Sequence, residues 1–121
     1  MNKSDLLEQI ATLPRRFQTL DNVSMFSLVE AIGYFGFHDQ ISDADIRAAL
    51  ARCPEYIREW MQYSEDKRMS SGWYLTLNDE GCYEVGYVTE RGELQQQVAY
   101  NKGTDACATF IKRELENIRL A

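Results

Sequence analysis

The chain has 121 residues, 45% hydrophobic and 26% charged, with 19 acidic against 13 basic side chains and a formal net charge of −6. That length suits a single domain over residues 1–121, able to bury roughly two thirds of its unfolded surface, and the composition excludes disordered and fibrous classes. No apolar run approaches the roughly 20 residues of a membrane span, and the acid excess disfavours nucleic acid or an anionic membrane as direct partner and favours a basic protein.

The Met1-Asn2-Lys3-Ser4-Asp5 start leads into an amphipathic pattern without an apolar signal core, from which a cytoplasmic location is expected. Ser4 is suited to cap a first predicted helix with Leu6, Leu7 and Ile10 as its apolar stripe. Pro14 disfavours helical geometry at Leu13, so this helix is expected to stop there and leave Arg15 and Arg16 in a connector. From Ser24 to about Gly36 the sequence is apolar on nearly every side except the stripe Ser27, Glu30, Tyr34, which predicts one helix buried centrally beside a sheet. Gly33 is read as a point of close backbone approach and Gly36 as the stop.

Ser42-Asp43-Ala44-Asp45 is a capping signature opening a third helix with Ile46, Ala49, Leu50 and Cys53 on one face. Pro54 fits the first turn of a fourth, in which Tyr56, Ile57, Trp60 and Met61 recur at helical spacing, so a break is expected at 52–54. The composition then shifts through a surface loop, Glu65-Asp66-Lys67-Arg68 and Ser70-Ser71-Gly72, from helical to strand pattern.

Residues 72–100 read as a three-stranded antiparallel meander. Trp73, Leu75 and Leu77 alternate with Tyr74, Thr76 and Asn78. Tyr83, Val85 and Tyr87 alternate with Glu84, Gly86 and Val88, and Leu94, Gln96, Val98 and Tyr100 with Gln95, Gln97 and Ala99, the last strand polar enough for an edge. Asn78-Asp79-Glu80-Gly81 and Thr89-Glu90-Arg91-Gly92-Glu93 supply the two turns. A meander of this size needs helices on its apolar face. Thr104 is suited to cap a closing helix whose stripe, Cys107, Phe110, Ile111, Leu115 and Ile118, is expected to cover the sheet. The expected class is therefore α+β: a helical N-terminal half, the meander, and a C-terminal helix packed on it.

The residues point away from catalysis, metals and cofactors. Cys53, Cys82 and Cys107 are odd in number and widely spaced, so free buried thiols are expected rather than disulfides or a zinc site. His38 beside Asp39 has the form of a general base oriented by a carboxylate, and Cys82 follows a turn, but no nucleophile elbow accompanies either. His38 is accordingly read as a surface or capping histidine, and a small hydrolase using Cys82 or His38 is the lesser alternative. Asp43 and Asp45 belong to a helix start, not a calcium loop. No glycine-rich phosphate loop follows a strand, and the meander's aromatics are not interleaved with cations as a nucleic-acid platform requires.

What remains is acidic. Asp79, Glu80, Glu84, Glu90 and Glu93 stand against Arg91 alone, a local formal charge of −4, and Glu55 and Glu59 form a like-charged i,i+4 pair that Arg52 or Arg58 is placed to offset. These seven carboxylates are the candidate partner-binding residues; a merely solvated face is the competing reading.

The order of a helical half, Ser71-Gly72-Trp73-Tyr74-Leu75, a Tyr83-Glu84-Val85-Gly86-Tyr87 strand, Glu90-Arg91-Gly92 at a turn and a closing helix beginning Asp105-Ala106 resembles the immunity proteins of bacterial contact-dependent growth inhibition and polymorphic toxin systems. The motif likeness covers about residues 70–120. It implies a non-catalytic chain that binds and neutralises the toxin domain made by the same cell, typically a nuclease with a basic surface. A small cytosolic interaction domain or adaptor without a toxin partner is the alternative.

Overall fold

The structure, a computed structural model, describes residues 2–20, 23–67 and 71–121. The fold is α+β, with six α-helices among the described residues before a three-stranded antiparallel sheet and one long helix after it. Helix α1 (Lys3–Ala11) starts two residues earlier than the sequence suggests, because Asn2, not Ser4, is its cap: the Asn2 side chain accepts from the Asp5 N–H at 2.8 Å. The expected connector at Arg15 and Arg16 is instead helix α2 (Leu13–Thr19). Pro14 sits in its first turn, where a missing N–H costs nothing, so the proline that ends one helix opens the next.

The single helix expected over 24–36 is broken. Ser24 caps α3 (Met25–Ala31), Gly33 takes φ 87°, and a short α4 (Tyr34–Phe37) runs into a 3-10 turn over His38–Gln40. Gly33 therefore serves the left-handed break and not a close approach, since a Cβ there would meet nothing within 4 Å. Gly36 lies inside α4 rather than stopping it. The break turns Tyr34 from the expected polar stripe into the core, where it is fully buried. Helix α3 packs mainly on its neighbours and on the C-terminal helix, not beside the sheet.

Helix α5 (Asp43–Arg52) opens with both halves of a capping box between Ser42 and Asp45. Chain geometry breaks at Cys53, and Pro54 precedes α6 (Glu55–Asp66), whose Tyr56, Trp60 and Tyr63 are buried. Trp60 is wholly enclosed and donates its Nε1–H to the Ala11 carbonyl at 3.1 Å, pinning α6 to the α1–α2 corner. Of the expected loop before the sheet, Glu65 and Asp66 belong to α6 and Gly72 to the first strand, while residues 68–70 lie outside the described residues.

Strands β1 (Gly72–Leu77), β2 (Tyr83–Val88) and β3 (Leu94–Tyr100) form the meander in the order β1-β2-β3. Both turns have one design. The Gly81 N–H donates to the Asn78 carbonyl and the Asn78 N–H to Cys82; the Gly92 N–H donates to Thr89 and the Thr89 N–H to Glu93. Gly81 and Gly92 take φ 81° and 82°, the left-handed residue of a three-residue hairpin loop. Helix α7 (Gly103–Leu120) follows Lys102, with no side-chain cap, so Thr104 lies inside it and not at its start.

Helix α7 covers one sheet face, where Leu75 and Val85 join Phe110, Ile111 and Leu115 in the core. Helix α6 lies along the β1 edge, and Ser64 Oγ accepts from the Leu75 N–H at 2.8 Å, pairing a backbone donor that an open edge would leave to solvent. Leu77, placed with Leu75 by alternation, is instead 51% exposed at the strand's end. Register in β3 departs from the expected alternation. Gln96 takes φ 55° in a bulge between the Val85–Val98 and Tyr87–Gln95 pairs, so Leu94 lies with Val88 on the outer face while Val98 lies with Val85 on the α7 face.

Candidate functional site

An antiparallel meander sends successive turns to opposite ends, and that alone decides how the acidic residues are distributed. Asp79 and Glu80 are exposed on the β1–β2 turn, and Glu90 and Glu93 are exposed on the β2–β3 turn. Six residues of β2 separate the two, about 20 Å at strand rise. Glu84 lies between them, paired across from Thr76 and Ala99 on the sheet face opposite α7. The five form a line along the sheet, not one cluster.

Helix α6 runs antiparallel to β1, with Ser64 beside Leu75 and Lys67 Nζ beside Gly72, so its N-terminal end lies on the side of the Asp79–Glu80 turn. Glu55 is exposed there. Glu59 is held by Arg15 of α2, whose Nε reaches both carboxylate oxygens at 2.8 and 2.7 Å. The offsetting cation is thus Arg15, not Arg52 or Arg58.

Five helix carboxylates are ion-paired, while Asp5, Glu8, Glu30, Asp43 and Glu55 have no ion-pair partner among the described residues. Asp45 pairs with Lys3, Glu59 with Arg15, Asp105 with Arg47, Glu114 with Lys67 and Glu116 with Arg119. Among the described residues no cation pairs with Asp79, Glu80, Glu84, Glu90 or Glu93.

A second pattern lies beneath the first and has no signal in the linear sequence. Four tyrosines donate their hydroxyls to glutamates: Tyr34 to Glu116 (2.7 Å), Tyr56 to Glu8 (2.6 Å), Tyr63 to Glu114 (2.6 Å) and Tyr74 to Glu84. Each phenol is shifted upward. Burial and the Glu116 bond raise Tyr34, burial and the Glu114 charge raise Tyr63, the Glu8 bond pushes Tyr56 up to about 12, and burial with the Glu84 bond pushes Tyr74 up to about 12.

In three of these pairs a cation completes the group. Lys112 lies over the Tyr34 ring, Arg15 over Tyr56 and Lys67 over Tyr63, at 5.2, 5.0 and 5.8 Å from the ring centres. Lys67 also reaches Glu114 at 2.8 Å, inside the core, and Lys112 donates to Tyr34 Oη and to the His38 carbonyl, clamping the 3-10 turn onto α7. No cation among the described residues lies over Tyr74 or pairs with Glu84; Gln97 Nε2, at 3.4 Å, is the second group on that carboxylate.

The Tyr74–Glu84 pair lines a groove of about 290 Å³ between the C-terminal turn of α6 and the outer sheet face, with Ser64, Glu65, Lys67, Thr76, Val88 and Leu94 among its walls. Gly86 makes room for it. A Cβ at 86 would come within 2.6 Å of Tyr74 Oη and 2.7 Å of its ring, so only glycine lets the phenol lie across β2 to reach Glu84.

His38 and Cys82 are not brought together. His38 is half-buried, its Nδ1 3.9 Å from Glu116 and not held by Asp39, while Cys82 approaches Asn101 at 3.7 Å beside the first turn of α7. From Lys102 to Glu116 the helix spans about 20 Å. Cys107 is fully buried, where desolvation pushes its thiol up and keeps it protonated, while Cys53 and Cys82 are free and half-buried. Among the described residues no three His, Cys, Asp or Glu side chains converge as a metal site, and no helix is long and apolar enough to cross a membrane. Compared with protein-family models, with curated proteins and with solved structures, the chain matches none.

Proposed function

We propose that this chain is an immunity-type inhibitor that binds a basic toxin domain made by the same cell, a nuclease by preference, and neutralises it without catalysis of its own. The observation that carries the reading is a line of unpaired negative charge. Asp79, Glu80, Glu84, Glu90 and Glu93 run along the meander from one turn to the other with no ion-pair partner among the described residues, whereas the helices carry both ion-paired and unpaired carboxylates. Surface charge left uncompensated in a line costs self-repulsion and is relieved by an oppositely charged partner, with fast and salt-sensitive association. A nuclease surface built to hold phosphates offers such a partner. The resemblance around Gly72–Gly92 supplies the biological setting.

The test is co-expression with the toxin domain encoded beside this gene. The wild-type chain rescues growth and binds that domain at nanomolar concentration or tighter. Converting Asp79, Glu80, Glu84, Glu90 and Glu93 together to their amides weakens rescue while the variant remains folded at the growth temperature. Rescue that survives the five amides but disappears with Cys82→Ala or His38→Ala overturns the reading in favour of a small hydrolase. Stable folding with no basic partner leaves the chain an adaptor of another kind.

A further inference from the structure

We infer that the groove beside Tyr74 and Glu84 receives an arginine side chain from the partner protein. Three of the four Tyr–Glu pairs in this fold carry a cation over the ring, and the fourth, the one that opens to solvent, has none among the described residues. In the other three groups the cation comes from elsewhere in the same chain, and at Tyr74 and Glu84 the described residues supply none. One internal group shows an arginine serving a ring and a carboxylate at once: Arg15 lies over Tyr56, which bonds Glu8, with its Cζ 5.0 Å from the ring centre, while its Nε holds both oxygens of a second glutamate, Glu59.

The groove's dimensions and walls favour the same occupant. At about 290 Å³ it lies at the lower limit of small-molecule sites, about 300 Å³, and has room for a long side chain. Val88 and the half-exposed Leu94 offer apolar surface for an aliphatic stem, and the Glu84 carboxylate lies at the end for the head group. A guanidinium suits this better than an ammonium, because it is planar, stacks on an aromatic face, sheds water more easily and meets a carboxylate with two parallel N–H donors.

This rests on the reading of the chain as a binder of a basic protein, but its test does not need the toxin. The probe is the capped tripeptide acetyl-Gly-Arg-Gly-amide, titrated into isotope-labelled full-length protein and followed by NMR, with the lysine and norleucine tripeptides as comparisons. Saturable shifts centred on Tyr74, Glu84, Val88 and Leu94, with arginine about tenfold tighter than norleucine, are expected. Glu84→Gln abolishes saturation, Leu94→Asn weakens it with all charges intact, and Glu30→Gln, exposed on α3 away from the sheet, leaves it unchanged.

Equal binding by Glu84→Gln, or shifts spread evenly over every exposed carboxylate, overturns the inference. If Glu84→Gln unfolds, Leu94→Asn decides: binding unchanged there is likewise fatal. Cellular rescue without peptide binding sinks the groove alone, and peptide binding without rescue sinks the toxin reading alone.

Discussion

At the scale of single residues the chain spends its tyrosines on protonated hydrogen bonds. Four of its seven, Tyr34, Tyr56, Tyr63 and Tyr74, donate to a glutamate, and each phenol is raised above its usual range. A phenol that holds its proton more tightly folded than unfolded stabilises the fold fully below the unfolded value, about 10, and that stabilisation is lost as pH rises through the folded value. For Tyr56 and Tyr74 the window runs from the ordinary phenol value up to about 12. Tyrosinate absorbance is therefore expected to lag, with unfolding and the delayed ionisations arriving together above pH ~10. Tyr74→Phe removes one delayed proton and leaves the other three. A titration in which all seven tyrosines ionise at the ordinary value before any loss of structure contradicts the four bonds. The acid limb has the opposite sign. Bonds from Arg119 and Tyr34 hold Glu116 below the ordinary carboxylate range despite its partial burial, and the Ser42 N–H with Lys3 does the same for Asp45, so their stabilisation is lost as pH falls through those lowered values.

At the scale of elements, the break at Gly33 separates what periodicity shows from what it hides. If residues 24–36 were one helix, Gly33→Ala would stabilise it by about 1 kcal/mol through propensity alone. With Gly33 at φ 87°, the same substitution forces a Cβ into the left-handed region and costs about 1–2 kcal/mol instead, although open space surrounds the position. Chemical denaturation distinguishes the two by sign. The apolar run around Gly33 could not reveal the break because Tyr34, which reads as part of a polar stripe, is buried by bonds to Glu116 and Lys112, more than 70 residues away. Local signals fared better where local chemistry rules. The capping box at Ser42 and Asp45, the break before Pro54, the two glycine turns and the three strands were all legible in the sequence, because caps and turns are decided within five residues. The β3 bulge was not, since Gln96 has none of the glycine that usually marks a left-handed residue. Gly86 inside β2 did carry a signal for the groove: a glycine in a strand marks close approach, here by the Tyr74 ring. The acidic residues were legible as a list but not as an arrangement, because only topology sends two neighbouring turns to opposite ends.

At the scale of the whole molecule, that separation makes a claim about how a basic partner is captured. The Asp79–Glu80 and Glu90–Glu93 ends stand about 20 Å apart, more than twice the Debye length of ~8 Å at physiological salt. Each end then attracts an approaching cationic surface without reinforcement from the other. If the partner spans the sheet face, the double variants Asp79→Asn/Glu80→Gln and Glu90→Gln/Glu93→Gln each slow association with the toxin domain, and the quadruple variant slows it by the product of the two factors, as sites separated by more than about 10 Å are additive. Lowering ionic strength to ~0.01 M extends the screening length to about 30 Å, beyond the separation, and the two ends begin to couple. Rapid-mixing association rates across a salt series measure all of this with one partner. One double variant without effect at every salt concentration places the partner at a single end of the sheet, and the line of carboxylates is then no docking track. Coupling already complete at physiological salt means that the ends lie closer in solution than the meander allows, which contradicts the strand register between them.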